Sequence, residues 1–377
     1  MVNSVSGQIF TPQGWITGTL DFDQRITSVR AAQAATNASP EPCRSQGNLV
    51  VPGFIDLHVH GGAGRDVMQG GDAIDCLAKI HARHGTTALL ATTMTAPVPE
   101  IEAALQAVAD AMAAAKPGAA TVLGVHLEGP FLNRERLGAQ PDFVTRASHE
   151  LIDRWCRIAR LRVVTLAPEL DPNMQLIGDL VARGIRVQIG HSAADYDTAR
   201  AAMLAGSTGF THLFNAMSGM HHREPGVVAA ALAHAEFAEI IPDLLHVHPG
   251  VLRAAARAIP GLYAVTDGTA ASGMADGEYR LGRQWVHKCA GGVRLADGTL
   301  AGSALTMDVA LGNLVKTGLT LTRAVRMVST GPADYLGLED RGRLQRGAWA
   351  DLVVLDQELR VTAVFAQGVQ VDIADAA

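Results

Sequence analysis

Residues 49–60 read LVVPGFIDLHVH, an apolar run that ends in two histidines. The run is almost continuously hydrophobic instead of alternating, which is typical of a strand covered on both faces. Comparable runs recur as far as residue 267, and alanine-rich stretches with helical periodicity lie between most of them. The eight strand-like runs span residues 49–60, 86–94, 121–128, 162–168, 185–191, 207–214, 239–247 and 262–267.

The order of these segments predicts the fold class. Eight strand-then-helix units favour an α/β protein built as a closed (β/α)8 TIM barrel. A doubly wound open sheet is the alternative, but no GxGxxG motif follows the first strand. The stretches with helical periodicity include residues 73–84, 100–115, 147–159, 194–205 and 250–258.

The two ends of the chain differ from the middle. Residues 3–30 and 343–371 read as short alternating strands separated by turns. Isolated hairpins are marginal in water, so we expect the two ends to pair into one small β-sandwich. The predicted domains are therefore this sandwich, from residues 1–48 and 343–377, and a barrel over residues 49–342, with residues 32–46 as a linker.

Composition excludes several classes of protein. The 377 residues carry a formal net charge of −6 and no block of lysine or arginine, which argues against nucleic-acid or anionic-membrane partners. No apolar run reaches the roughly 18 residues needed to span a bilayer, and the first residues lack the layout of a signal peptide. The four cysteines are scattered without a CxxC pair, so we expect reduced thiols in a cytoplasmic protein.

Polar side chains stand at the predicted ends of the strands, where barrel enzymes place their catalytic groups. The first strand ends in His58 and His60, and the two-residue period of a strand puts both imidazoles on one face. Nitrogen and oxygen donors without a thiolate indicate a site for a divalent metal. The strand-end residues that complete this predicted site are Glu128, His191, His212, His246 and Asp267.

Such a site predicts hydrolysis. A bound divalent metal lowers the pKa of a coordinated water from about 15.7 towards about 7. Asp267 could accept the proton of that water and return it to a leaving group. The sequence therefore predicts metal-assisted hydrolysis of an amide, an ester or a related bond.

The motifs also resemble those of a known family. The HxH on the first strand, the later histidines and Asp267 resemble the amidohydrolase superfamily, and several blocks resemble N-acetylglucosamine-6-phosphate deacetylases within it. LEGPF, HLFNAM and REPG together are specific to that family, and the blocks follow one another in the expected order. They are VPGFIDLHVHGG (51–62), GVHLEGPFLN (124–133), TLAPE (165–169), GHS (190–192), THLFNAM (211–217), REPG (223–226), VTDGT (265–269) and LAGSALTM (300–307).

The resemblance implies roles for the metal-site residues. Glu128, His191 and His212 would bind one ion. His58 and His60 would hold a second ion, with Glu128 bridging the two. Asp267 would be the catalytic acid and base and a further ligand. Zinc is the first expectation for one or two ions, with iron, manganese and cobalt also compatible.

The resemblance also implies a substrate pocket. Arg223 resembles an arginine that reaches the substrate phosphate of a neighbouring subunit, which predicts a functional homodimer. His246 resembles a residue that hydrogen-bonds the sugar, and the segment Leu300–Gly302 resembles a loop that lines the pocket. The remaining residues expected to bind substrate are Ala139, Gln140, Asn215, Ala216 and Ala301.

Two departures from the family bear on the substrate. Gln140 stands where the family usually has a histidine, and Leu244 stands where it usually has a glycine. The first expectation is deacetylation of N-acetylglucosamine 6-phosphate to glucosamine 6-phosphate and acetate in amino-sugar catabolism. The alternatives are an N-acetylgalactosamine derivative, an N-acetyl sugar without phosphate, or an N-acyl amino acid. A further alternative is a relative that binds a sugar phosphate without catalysis.

Overall fold

The computed structural model describes residues 2–32, 38–43 and 47–373, so most of the predicted linker lies outside the described residues. The strands are β1 (Asn3–Thr11), β2 (Gly14–Phe22), β3 (Ile26–Ala31), β4 (Leu49–Pro52), β5 (Phe54–Val59), β6 (Gly61–Gly62), β7 (Arg65–Asp66), β8 (Thr86–Thr92), β9 (Thr121–Glu128), β10 (Leu161–Leu166), β11 (Arg186–Ile189), β12 (Gly209–Phe210), β13 (Phe237–Ile240), β14 (Gly261–Ala264), β15 (Gly277–Leu281), β16 (Gln284–Cys289), β17 (Gly292–Arg294), β18 (Leu300–Ser303), β19 (Leu352–Leu355), β20 (Val361–Ala366) and β21 (Val369–Gln370).

The helices follow most of the barrel strands. They are α1 (Ala73–Arg83), α2 (Val98–Ala113), α3 (His149–Ile158), α4 (Asn173–Ala182), α5 (Tyr196–Leu204), α6 (Val227–His234), α7 (Pro249–Ala258), α8 (Met307–Lys316), α9 (Leu321–Val328) and α10 (Thr330–Leu336), with short 3-10 helices at Val67–Gln69 and Arg134–Arg136. Within the described ranges, no helix combines the length and the apolar character needed to cross a bilayer.

Eight parallel strands close into a barrel, as predicted. Six of them, β5 and β8 to β12, form one hydrogen-bonded sheet, and β13 pairs with β14. The backbone N–H of Leu213 donates to the carbonyl of Glu239 over 2.9 Å and joins the two groups. On the other side, His60 N–H donates to the carbonyl of Gly268 over 2.8 Å and closes the circle.

The run at residues 49–60 is two strands, although the sequence predicted one. β4 pairs with β1 and β19 in the sheet of the chain ends, whereas β5 begins the barrel. Gly53 lies between them, and a Cβ there would overlap the side chain of Thr87. Only glycine lets the backbone pass this close to β8 while it changes sheets.

Strands from both ends of the chain lie in one seven-stranded sheet, in the order β21-β20-β19-β4-β1-β2-β3. The sheet is curled, because Phe22 and Phe365 lie on strands that are not neighbours and yet their ring centroids are 5.0 Å apart. The curl encloses a separate apolar core. Hydrogen bonding places β4 in this sheet, beyond the boundary predicted after residue 48.

A four-stranded antiparallel sheet, β15 to β18, follows the last barrel strand and was not predicted. Its buried side chains pack with Met94 and Ala271 near the carboxyl end of the barrel. The segment Leu300–Gly302, expected as a loop, lies in β18. The sheet therefore forms one wall over the mouth of the barrel.

Candidate metal centre and active site

Three of the expected site residues lie just beyond their strands. Most of the barrel strands, though not β9, are shorter than predicted, and His191, His212 and Asp267 follow β11, β12 and β14 by two or three residues. Each adopts a left-handed backbone, with φ of 48°, 33° and 49°. Non-glycine residues in this region are strained and cluster at functional sites. The strained turns end each strand and direct the side chains to the barrel axis.

The first cluster is formed by Glu128, His191 and His212, all buried. Oε1 of Glu128 lies 3.1 Å from Nε2 of His191 and 3.0 Å from Nε2 of His212. The two imidazole Nε2 atoms are themselves 3.1 Å apart. Three potential ligand atoms thus converge on one point.

The second cluster is formed by His58, His60 and Asp267. The Nε2 atoms of His58 and His60 are 3.1 Å apart, and Oδ1 of Asp267 lies 3.4 Å and 3.2 Å from them. Oε2 of Glu128 lies 3.1 Å from Nε2 of His60. Glu128 therefore turns one carboxylate oxygen to each cluster.

The distal nitrogens of three histidines have acceptors that set the tautomer. Nδ1 of His58 lies 3.0 Å from Oε2 of Glu239, and Nδ1 of His191 lies 2.7 Å from the carbonyl of Arg136. Nδ1 of His60 lies 3.2 Å from the carbonyl of Thr92. Because these oxygens only accept, each Nδ1 donates and each Nε2 can present a lone pair inwards.

Burial and charge oppose each other in these clusters. Burial alone would lower the pKa of His58, but the carboxylates of Glu128, Asp267 and Glu239 outweigh it and raise that pKa well above its usual value. Burial would likewise lower the pKa of His60, but the carboxylates of Asp267 and Glu128 raise it to about 9. Conversely, burial would raise the pKa of Glu128, but the histidines hold it well below its usual range. The clusters thus attract positive charge.

These residues fit a divalent cation. In both clusters the Nε2 atoms of two histidines face each other, although neutral imidazoles with Nδ1–H have only lone pairs to offer there. A bound cation would accept these converging lone pairs. The combination of histidines and carboxylates suits zinc and other first-row ions.

Gln140 enters the same centre from the loop after β9. Its Nε2 donates to Oε2 of Glu128 over 2.7 Å, and its Oε1 accepts from the backbone N–H of Thr95 over 2.7 Å. The side chain is buried and has a fixed amide orientation. The residue that departs from the family pattern thus contacts the carboxylate shared by both clusters.

A cavity of about 210 Å³ opens above the clusters. His246 lies in its wall, six residues past the end of β13, and its Nδ1 donates to Asp243 over 2.7 Å. Among the expected substrate residues, Ala301 is buried in the apolar cluster of the neighbouring sheet and Arg223 lies on an exposed loop away from the cavity. Those that line the cavity are Ala139, Gln140, Asn215, Ala216, His246, Leu300 and Gly302.

Sequence reasoning missed the residues that support the ligands. Glu239 is the clearest case, since it is a carboxylate inside an otherwise apolar strand. His126 is also buried, and its Nε2 contacts Oγ1 of Thr165 at 2.7 Å. An acidic residue in an apolar strand run is the signal that could have pointed to Glu239.

The closed barrel and its paired clusters define a metal-dependent hydrolase. Residues 49–373 match the amidohydrolase family. The chain is 39% identical over 370 residues to an N-acetylgalactosamine-6-phosphate deacetylase of Escherichia coli O157:H7, covering 96% of this chain and 97% of that one. It is 39% identical over 321 residues to an N-acetylglucosamine-6-phosphate deacetylase of Lysinibacillus sphaericus, with 83% of each chain covered.

A solved structure agrees with these relatives. It is a mutant of N-acetyl-D-glucosamine-6-phosphate deacetylase from Mycobacterium smegmatis in complex with N-acetyl-D-glucosamine-6-phosphate, with a TM-score of 0.87 and 34% identity. The match covers 98% of this chain and 98% of that one. The chain therefore belongs to the amidohydrolase family and, within it, to the N-acetylglucosamine-6-phosphate deacetylases.

Proposed function

We propose that this protein hydrolyses the acetamide of an N-acetylhexosamine 6-phosphate, with N-acetylglucosamine 6-phosphate as the first candidate. The products are acetate and the amino sugar phosphate, a step of amino-sugar catabolism that we place in the cytoplasm. The observation that carries the proposal is the position of Glu128, whose two oxygens face two histidine clusters at the base of one cavity.

The donor types in the two clusters support a divalent metal as the cofactor. Glu128, His191 and His212 would hold one divalent ion, and His58, His60 and Asp267 would hold a second. Zinc fits the donors best, and iron, manganese and cobalt remain candidates. An ion bound here supplies a Lewis acid and lowers the pKa of water, so that a nucleophile is available near neutral pH.

We assign the proton transfer to Asp267. Burial would raise its pKa, but His58 and His60 lower it, so the carboxylate is ionised at neutral pH and can accept a proton from water. The water oxygen forms a bond to the acetyl carbon, and the carbon–nitrogen bond then breaks. Asp267 returns the proton to the departing amine nitrogen.

Several residues of the cavity wall support a sugar phosphate as the substrate. His246, oriented by Asp243, offers a hydrogen bond to a sugar hydroxyl, and Gln140 lies beside the reacting end. Asn215 and Ala216 lie at the wall where the phosphate would bind. Arg223 lies outside the cavity of its own chain, so we propose that it reaches the phosphate in the partner subunit of a homodimer.

A second candidate substrate is N-acetylgalactosamine 6-phosphate, the C4 epimer. The relative that covers nearly the full length of both chains carries that name, and this chain has Leu244 where the family usually has glycine. Leu244 adopts φ of 66°, in the loop that also carries His246. We propose that this bulkier side chain alters how the loop fits the sugar.

Acetate release from a substrate panel tests the proposal. The panel holds both 6-phosphates, the same two sugars without phosphate, and an N-acetyl amino acid. We expect release from one or both phosphates and little from the others. Faster turnover of the sugars without phosphate would contradict a requirement for the 6-phosphate. Absence of both acetate release and stoichiometric metal would favour a binding protein without catalysis.

A further inference from the structure

Glu239 is a fully buried carboxylate that the proposed reaction does not use. It lies on β13, inside the barrel and beneath both clusters. Among the described residues, it has no lysine or arginine partner. An uncompensated carboxylate in such a position costs several kcal/mol, so the surrounding donors must stabilise it.

Four donors surround this carboxylate. Oε2 accepts from Nδ1 of His58 over 3.0 Å and from the backbone N–H of His212 over 3.2 Å. Oε1 accepts from Nε2 of Gln188 over 3.0 Å and from the hydroxyl of Tyr263 over 3.4 Å. Both oxygens are therefore used on fixed partners, and the position of the carboxylate is determined.

The orientation of Gln188 is also fixed. Its Oε1 accepts from the hydroxyl of Thr211 over 2.7 Å, which leaves its amide nitrogen to face Glu239. The network thus requires an acceptor at Oε1 of Glu239 as well as at Oε2. If Glu239 were replaced by glutamine, the new amide N–H group would face one of these donors and lose a hydrogen bond.

His58 differs from the other three histidines of the two clusters in the group that accepts a hydrogen bond from its Nδ1. Nδ1 of His60 and of His191 donate to backbone carbonyls, and Nδ1 of His212 has no partner among the described residues. Of the four histidines in the two clusters, only His58 donates from Nδ1 to a carboxylate. A carboxylate on the distal nitrogen fixes the ring and makes the ligating nitrogen more basic.

We propose that Glu239 is a positioning residue whose negative charge sets the occupancy of the second metal position, formed by His58, His60 and Asp267. It holds Nδ1 of His58 protonated and turns the Nε2 lone pair to that position. The first position, at Glu128, His191 and His212, contacts Glu239 directly through one hydrogen bond, from the backbone N–H of His212. This inference rests on the proposed metal-dependent function.

The test measures zinc binding in the full-length protein. Glu239→Gln is compared with Asp56→Asn, a matched control. Asp56 is also a buried carboxylate, but it accepts from the backbone N–H of His58 and the hydroxyl of Thr266 and does not contact the imidazole of His58. Elemental analysis gives zinc per chain, and competition with chelators gives the two affinities separately.

We expect two zinc ions per chain in the wild type and in Asp56→Asn. In Glu239→Gln, the second affinity should fall about 10- to 100-fold while the first is retained. A double variant, Glu239→Gln with Gln188→Glu, restores the donor and acceptor pattern but moves the charge away from His58. Its second affinity should stay low.

Each contrary result is distinct. An unchanged second affinity in Glu239→Gln, an equal loss at both positions, or recovery in the double variant would each overturn the role of Glu239. Uptake of only one zinc ion by a wild type that releases acetate would overturn the inference and leave the proposed function standing. Absence of both zinc and acetate release would overturn both.

Discussion

The side-chain amide of Gln140 donates to Oε2 of Glu128 over 2.7 Å, so a neutral residue contacts the carboxylate shared by the two clusters. The amide is oriented by Thr95, whose backbone N–H donates to Oε1 of Gln140. A glutamine can donate a hydrogen bond to a developing oxyanion but cannot carry a positive charge. Gln140 therefore places a neutral hydrogen-bond donor beside the carboxylate shared by the two clusters.

Replacing Gln140 with leucine should lower kcat/KM for the phosphorylated substrate about 10- to 100-fold, because a hydrogen bond to a charged group contributes about 1.5–3 kcal/mol. Steady-state acetate release measures the effect. Gln106→Leu, the same change on the exposed face of α2, is the control and should leave the rate unchanged. Equal rates in the two variants would show that the amide of Gln140 does not contribute to the reaction.

Replacing Asp267 with asparagine should lower kcat by about 10²- to 10⁴-fold, because the amide cannot accept the proton. The ion at Glu128, His191 and His212 should remain, since Asp267 is not part of that cluster. Turnover and metal content are measured on the same sample, with exposed Asp110→Asn as the control. An active Asp267→Asn protein would contradict the assigned acid and base.

Arg223 should act on the neighbouring subunit. Arg223→Ala should raise KM for the 6-phosphate about 10- to 100-fold, since a charge-assisted hydrogen bond is lost. KM for the sugar without phosphate should not change. The test compares KM for the sugar with and without the 6-phosphate in the same Arg223→Ala variant.

Subunit mixing tests the location of Arg223 directly. In a 1:1 mixture of Arg223→Ala and Asp267→Asn chains, about a quarter of the sites should combine an intact Asp267 with a partner's arginine, if the dimer is two-fold symmetric. Activity at low substrate should rise above the sum of the two separate variants. No gain on mixing would place Arg223 outside the partner's site.

His81 should make the fold sensitive to acid. Its Nε2 donates to the carbonyl of Gly61 over 2.8 Å, and burial lowers its pKa to about 4. The unfolded chain takes up this proton near pH 6.5, so protonation favours unfolding as the pH falls from 6.5 to 4. The loss is about 3 kcal/mol in the free energy of unfolding.

Denaturant unfolding of metal-free protein at pH 7 and pH 4.5 measures that dependence. His81→Gln keeps a donor for Gly61 but cannot titrate, so its free energy of unfolding should fall less on acidification than that of the wild type. Exposed His234→Gln should behave as the wild type. The same pH dependence in all three proteins would contradict the assignment.

The sequence was sufficient for the barrel and for the ligand types, because both leave a periodic signal. Apolar strand runs recur at regular spacing, and His58 and His60 share a face through the two-residue period of a strand. The split at Gly53 left no such signal, since the run on both sides of it is equally apolar. Close approach to Thr87, which only the fold creates, decides where β4 ends.

The supporting residues of the site could not be predicted for a similar reason. Glu239 contacts His58 across 181 positions of the chain, and only closure of the barrel brings them together. The strand ends were also placed too late. The left-handed backbone at His212 and Asp267 ends each strand early, and apolar patterning does not report backbone angles.

We expect deacetylation to depend on metal bound at the two clusters around Glu128. Acetate release from N-acetylglucosamine 6-phosphate and from its C4 epimer should be measured on protein whose metal content is quantified before chelation, after chelation and after addition of zinc. We predict one acetate per amine formed, loss of activity when the metal is removed, and recovery when zinc is added. Full activity in metal-free protein, or no acetate from either phosphate with both positions loaded, would contradict it.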